Sequence, residues 1–95
     1  MKQPDAKLLA RQRQGHRERL RQRFLNGGIS ALQNYEILEY FLCMLIPRRD
    51  VKPVAKTLLE HFNGIAGVFD APPHELEEFG LTPRVAADIA FLRSL

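Results

Sequence analysis

Apolar positions in this chain recur at helical spacing and almost nowhere alternate. The clearest period runs from Val51 to Phe62, where Val51, Val54, Ala55, Leu58, Leu59 and Phe62 fall at i, i+3, i+4, i+7, i+8 and i+11, one face of an α-helix. Pro53 stands in its first turn, where a missing N–H costs little, and Asn63-Gly64 supplies a left-handed stop. Upstream, Tyr35 to Ile46 is apolar nearly all round, interrupted by Glu36 and Glu39. That pattern predicts a central, buried helix, with Asn34 as its N-cap. Pro47 cannot continue it, and Arg48-Arg49-Asp50 makes a tight connection in which Asp50 caps the next helix.

The flanks are less regular. From His16 to Leu25 strong helix formers dominate, with Leu20 and Phe24 as a narrow apolar stripe and Asn26-Gly27-Gly28 as the stop. Residues 1–14 are polar and read as a basic flexible arm, mobile or partly helical, ahead of a helical domain over 15–95. Ile29 to Gln33 is a connector or a single turn. Ile65 to Phe69 reads as a compact turn burying Ile65, Val68 and Phe69. Pro73 to Phe79 is a short acidic helix with Leu76 and Phe79 inward. Pro83 to Leu95 carries Val85, Ile89 and Leu92 on one stripe, beside Ala86 and Ala90. No run alternates with period two, so no strand is expected.

The expected fold is therefore all-α, a compact bundle of five or six short helices. The order of elements also suggests a duplication: helix 35–46, turn 47–50 and helix 51–62 form one hairpin unit, and helix 73–79, turn 80–82 and helix 83–95 form another. This is a tandem helix-hairpin-helix-like layout with a pseudo-two-fold arrangement. Both hairpins then lie on one side, as the two strands of a duplex minor groove require. Only the order of elements supports the repeat, not residue identity.

Composition sharpens the picture where it is uneven. A chain of 95 residues builds one core. Eight Lys/Arg lie in residues 1–25 against Asp5 and Glu18, although the whole chain is only +3. Attraction to polyanions is thus concentrated near the N-terminus. Arg17 and Arg21 share one side of their helix, as do Arg19 and Arg23, so one face meets a phosphate backbone or merely solvates the helix. The single cysteine, Cys43, excludes an internal disulfide and sits in an apolar run as a small core residue. No apolar run approaches a membrane span, and no signal peptide is visible, so the expected location is cytoplasmic.

Candidate chemistry is confined to turns and basic residues. In Phe79-Gly80-Leu81-Thr82-Pro83-Arg84 a glycine ends one helix and a proline opens the next, so the backbone N–H groups of Gly80, Leu81 and Thr82, with Arg84 beside them, are candidate phosphate donors. Arg48, Arg49 and Lys52 stand at the other hairpin. His16, His61 and His74 have no metal-ligand spacing and read as surface or cap residues. No nucleophile and base pair off, so neither a catalytic residue nor a cofactor is assigned.

Four ordered stretches carry a family resemblance: Gly15-His16-Arg17-Glu18-Arg19-Leu20-Arg21-Gln22-Arg23-Phe24, Asn34-Tyr35-Glu36-Ile37-Leu38-Glu39, Ile46-Pro47-Arg48-Arg49-Asp50-Val51-Lys52-Pro53, and Val68-Phe69-Asp70-Ala71-Pro72-Pro73-His74-Glu75-Leu76. Together they resemble the N-terminal, UPF0758-type domain of the RadC family, historically labelled as DNA repair proteins. The resemblance implies a helix-hairpin-helix unit, followed in the family by a metal-dependent JAB/MPN-type domain with a His-x-His motif, a Ser and an Asp. No such motif occurs in these residues. The family hairpin is Gly-apolar-Gly; here Thr82 stands at the second glycine, and its hydroxyl can donate one hydrogen bond to phosphate.

Two functions compete. One is DNA binding without sequence preference, through Arg17, Arg19, Arg21, Arg23, Arg48, Arg49, Lys52, Gly80, Leu81, Thr82 and Arg84; the acidic helix 73–79 counts against it. The other is a regulatory module that docks on a JAB/MPN domain or another protein, with Thr82 as a helix cap. An enzyme is the weakest reading.

Overall fold

The computed structural model describes residues 6–95, so residues 1–5 of the expected arm lie outside it. Six helices follow in order: α1 (Ala6–Gly27), α2 (Asn34–Leu45), α3 (Lys52–Phe62), α4 (Ile65–Asp70), α5 (Pro73–Glu78) and α6 (Pro83–Arg93), with a 3-10 turn at Ile29–Ala31. No strand occurs among the described residues. Residues 6–14 form the first turns of α1, which continues unbroken through Gly15.

The helix boundaries follow from the punctuation. Pro47 stops α2 one residue past its C-cap, Ile46. Asp50 accepts the Lys52 N–H at 3.1 Å, but it stands one residue ahead of the α3 N-cap, which is Val51 rather than the expected Asp50. Asn63 ends α3 in the left-handed region at φ 61. Thr82 is the N-cap of α6, its hydroxyl oxygen accepting the Val85 N–H at 3.2 Å. The N-cap of α2, however, is Gln33 rather than Asn34. Glu36 explains the shift, because its carboxylate reaches back to the Gln33 N–H at 3.0 Å and fixes the start one residue early.

α2 packs on α3, α5 on α6, and α4 bridges α3 and α6. Leu38, Leu42, Val54, Ala55, Leu58, Val68, Leu76, Leu81, Val85 and Ile89 meet in one core. α1 lies outside that cluster and inserts only Leu20 deeply. Phe79, half-buried, joins Phe62 and His61 in a ring cluster with centroids 5.6 and 4.2 Å away. Leu92, expected on the inner stripe of α6, is 37% exposed instead.

Residues 65–69 are a helix, not a turn. Two turns of chain leave Asn63 and at once form α4, whose start presses on the end of α3. The contact is possible because residue 67 is glycine: a Cβ there would lie 1.8 Å from the Phe62 carbonyl oxygen, closer than any atom pair tolerates. Gly67→Ala must therefore push α4 off α3. We expect it to destabilise the chain by about 1–3 kcal/mol or more, read as a lowered midpoint in urea; an unchanged midpoint would show that α4 does not approach α3 this closely.

Candidate nucleic-acid interface

A single side chain links the two turns proposed from the sequence. Arg84, two residues past Thr82, donates to the Leu45 carbonyl at 2.9 Å, immediately before the 46–51 connection. From the other side, Arg17 of α1 donates to the carbonyls of Pro47, Ile46 (3.2 Å) and Arg49 (3.0 Å). Carbonyls at the end of α2 have no partner within the helix; Arg84 satisfies that of Leu45, and Arg17 those of the C-cap Ile46 and of the connection beyond it. The connection is thereby held from both flanks.

The basic residues divide into two groups. Arg17 and Arg84 hold carbonyls, and Arg84 also pairs with Asp88 at 3.1 Å. Arg21 bonds Tyr40 Oη at 3.3 Å and pairs with Glu18. Arg23 grips both carboxylate oxygens of Glu36 and the Ala31 carbonyl. By contrast, Arg19, Arg48, Arg49 and the Lys52 ammonium are exposed and have no partner among the described residues. Arg13, which the sequence reading left out, shares a small recess with Arg49 and so extends the basic end.

At the second turn Gly80 has φ 95, a value that favours glycine. Leu81 is buried in the core, so only its backbone is available to a ligand. Neither the Leu81 nor the Thr82 backbone N–H has an acceptor among the described residues. Pro83 has none to offer, and the Thr82 hydroxyl oxygen is occupied as a cap, which leaves its proton free to donate.

The seam between α1 and α2 is the feature that the sequence reading missed. Glu36 and Glu39, taken as polar interruptions, are 6% and 1% exposed. Glu36 pairs with Arg23, and Glu39 Oε2 lies 2.5 Å from His16 Nε2. The other oxygen, Glu39 Oε1, is buried without a partner among the described residues. A signal was present: His16, Leu20 and Arg23 fall at i, i+4 and i+7, and Glu36 and Glu39 at i and i+3, so an antiparallel pair of helices brings each acid to a base. Arg23, with the Gln33 N–H, holds the Glu36 carboxyl below its usual value. Burial pushes the Cys43 thiol up, as befits a core residue rather than a nucleophile.

Among the described residues no three His, Cys, Asp or Glu side chains are grouped to hold a metal, and no helix is long and apolar enough to cross a membrane.

A UPF0758 protein of Fusobacterium nucleatum subsp. nucleatum is 53% identical over 58 residues, 61% of this chain and 25% of that protein. One from Ruegeria pomeroyi is 45% identical over 80 residues, 83% of this chain and 36% of its own length. A third, from Rhodobacter capsulatus, is 49% identical over 59 residues, 62% of this chain and 28% of its own. The chain thus spans about a third or less of these curated relatives. No family model matches, and no solved structure does.

Two measurements separate the roles of these side chains. Arg17→Ala strips three carbonyls of their donor and should cost about 1 kcal/mol or more of stability, whereas Arg48→Ala should stay within about 0.5 kcal/mol; equal effects in urea melts would erase the distinction. The Glu36 carboxyl, lowered by Arg23, contributes stability that is complete above its unfolded value near about 4.3 and is lost as pH falls through its lower folded value. Melting temperature followed from pH 7 towards acid should therefore drop more shallowly in Glu36→Gln than in the wild type, and parallel curves would rule the ion pair out as a source of acid sensitivity.

Proposed function

We propose that this chain, a UPF0758-type domain by its identity to those relatives, is a DNA-binding module without sequence specificity, of the RadC type its motifs resemble. One observation carries the reading: Arg48 and Arg49, on a connection that Arg17 and Arg84 hold in place, and Lys52, at the start of α3, are exposed and have no side-chain partner among the described residues. Unpaired cations on a fixed backbone suit phosphate, which attracts charge and needs position but carries no sequence. The Leu81 and Thr82 N–H groups at the neighbouring turn add donors of the kind that grip phosphate oxygens. The two hairpins then act as helix-hairpin-helix units facing the two strands of a duplex. Arg13 and Arg19 extend the positive field, while Arg17, Arg21 and Arg23 act mainly through the fold. The domain works in the cytoplasm, needs no cofactor and performs no catalysis itself.

A second reading has its own support. Thr82 is spent as a cap, and Arg84 pairs with Asp88 and Leu45, so the Gly80 turn serves the fold before any ligand. In that reading the domain docks on a JAB/MPN-type domain or another protein, and Arg48 and Arg49 pair with acidic groups there.

Binding of duplex and single-stranded DNA across a salt series tests the first reading. Log affinity should fall linearly with log salt, by about 0.9 per phosphate neutralised on duplex and about 0.7 on single strands. Arg48→Ala/Arg49→Ala should flatten the duplex slope by about 2 units, equally for different sequences. Absence of binding at low salt, or binding indifferent to salt, sinks the proposal; tight capture of a JAB-type domain would promote the second reading.

A further inference from the structure

Where α1 passes the 46–51 connection, the two border a recess of about 20 Å³, room for a single water. Helical spacing sets the α1 side of it. Arg13, His16 and Arg17 fall at i, i+3 and i+4 and share one face, the face that carries Leu20 into the body. His16 and Arg17 are committed there, the first to Glu39 and the second to the carbonyls of Ile46, Pro47 and Arg49. Arg13, one turn earlier, lines the same recess half-buried, and its guanidinium has no partner among the described residues. Arg49 reaches the recess from the connection, exposed, and its guanidinium has none either.

Two unpartnered guanidinium groups at one opening repel each other in the free chain, and an anion laid between them turns that repulsion into attraction. The nearby acids do not take this place. Glu39 is 1% exposed and gives one oxygen to His16, Asp50 turns an oxygen to the Lys52 N–H, and no ion pair joins either acid to Arg13 or Arg49 among the described residues. We propose that Arg13 and Arg49 hold one phosphate of a nucleic-acid backbone between them, across the mouth of this recess, so that α1 is part of the interface as well as its scaffold. This inference rests on the DNA-binding reading and adds to it a contact from a second element. The recess is too small to admit a phosphate group, so the ligand bridges its mouth, with oxygens towards both guanidinium groups, whose planar forks of N–H suit them. Both backbones are set before the ligand arrives: Arg17 donates to the Arg49 carbonyl at 3.0 Å, and the His16–Glu39 bond fixes α1 one turn from Arg13. Such preorganisation spares part of the ordering cost of binding.

Duplex DNA titrated with the chain across a salt series tests the clamp, with Arg11 as the internal comparison. Arg11 is two residues from Arg13, about 200° away round the helix, exposed and outside the recess. Arg13→Ala should weaken binding and flatten the slope of log affinity against log salt by about 1 unit, equally for different sequences. Its urea midpoint should stay unchanged, because Arg13 bonds no group of the fold; Arg13→Gln replaces it if it does not fold. Sharing one phosphate couples the two arms, so the loss in Arg13→Ala/Arg49→Ala should differ from the product of the single losses by about twofold or more. The losses in Arg11→Ala/Arg49→Ala should simply multiply. Salt-dependent wild-type binding that Arg13→Ala leaves intact, or Arg13 and Arg49 losses that multiply as those of Arg11 and Arg49 do, overturns the clamp and leaves the DNA-binding reading standing. A wild type that does not bind at low salt overturns both.

Discussion

The fold depends on how α2 is held. This helix runs through the core on one side, yet it presents two carboxylates to α1, at Glu36 and Glu39, both almost fully buried. A buried carboxylate is tolerable only beside a partner, and removing the partner costs far more than the pair contributes. Arg23 and His16 are therefore obligatory neighbours rather than surface ornaments, and they specify where α1 lies. Apolar contact alone would leave that choice loose, since α1 buries only Leu20. The Arg23–Glu36 ion pair and the His16–Glu39 hydrogen bond fix the register that one leucine cannot.

The same logic continues at the C-terminal end of α2. A helix end that runs into Pro47 leaves carbonyls without donors, and the chain meets them with Arg17 from one direction and Arg84 from the other. Long, planar guanidinium groups are suited to this, because one side chain offers several N–H groups to oxygens that point different ways. The consequence for function is subtraction. Each arginine used in this way is withdrawn from the charge available to a polyanion, and a count of basic residues overstates the field. Among the described residues, the cations left without a partner are Arg48 and Arg49 on the connection, Lys52 beside it, and Arg11, Arg13 and Arg19 on α1.

The sequence was most legible where a single residue type settles the backbone. Pro47, Pro53 and Pro83 fix their own backbone, Asn63 and Gly80 accept the positive φ that ends a helix, and the period of Val51 to Phe62 left no competing face, so α3, α5 and α6 fall where the pattern places them. Legibility failed where a residue has two good uses. Glutamate on a helix is ordinarily solvated, so Glu36 and Glu39 read as interruptions until their spacing is set against His16 and Arg23. Arginine likewise serves as ligand for phosphate or as donor to carbonyls, and nothing local distinguishes Arg17 from Arg48. Gly67 looked like part of a turn because glycine is a poor helix former; its role is clearance for the Phe62 carbonyl, visible only when α3 and α4 are placed together. Apolar residues have the same ambiguity: Phe24 and Met44 fit a core stripe, yet they line an open groove.

α6 connects these results. Its first turn is tied to the end of α2 through Arg84, and its last to the end of α4 through Arg93. At 11 residues it is a strut of about 16 Å at 1.5 Å per residue, and the apolar groove reaches from Phe69, beside its last turn, to Met44, one residue from the Leu45 carbonyl that its first turn holds. The two surfaces differ in chemistry. The basic end offers charge and fixed donors, which are sensitive to salt and indifferent to shape. The groove offers fit and apolar area, which are the reverse.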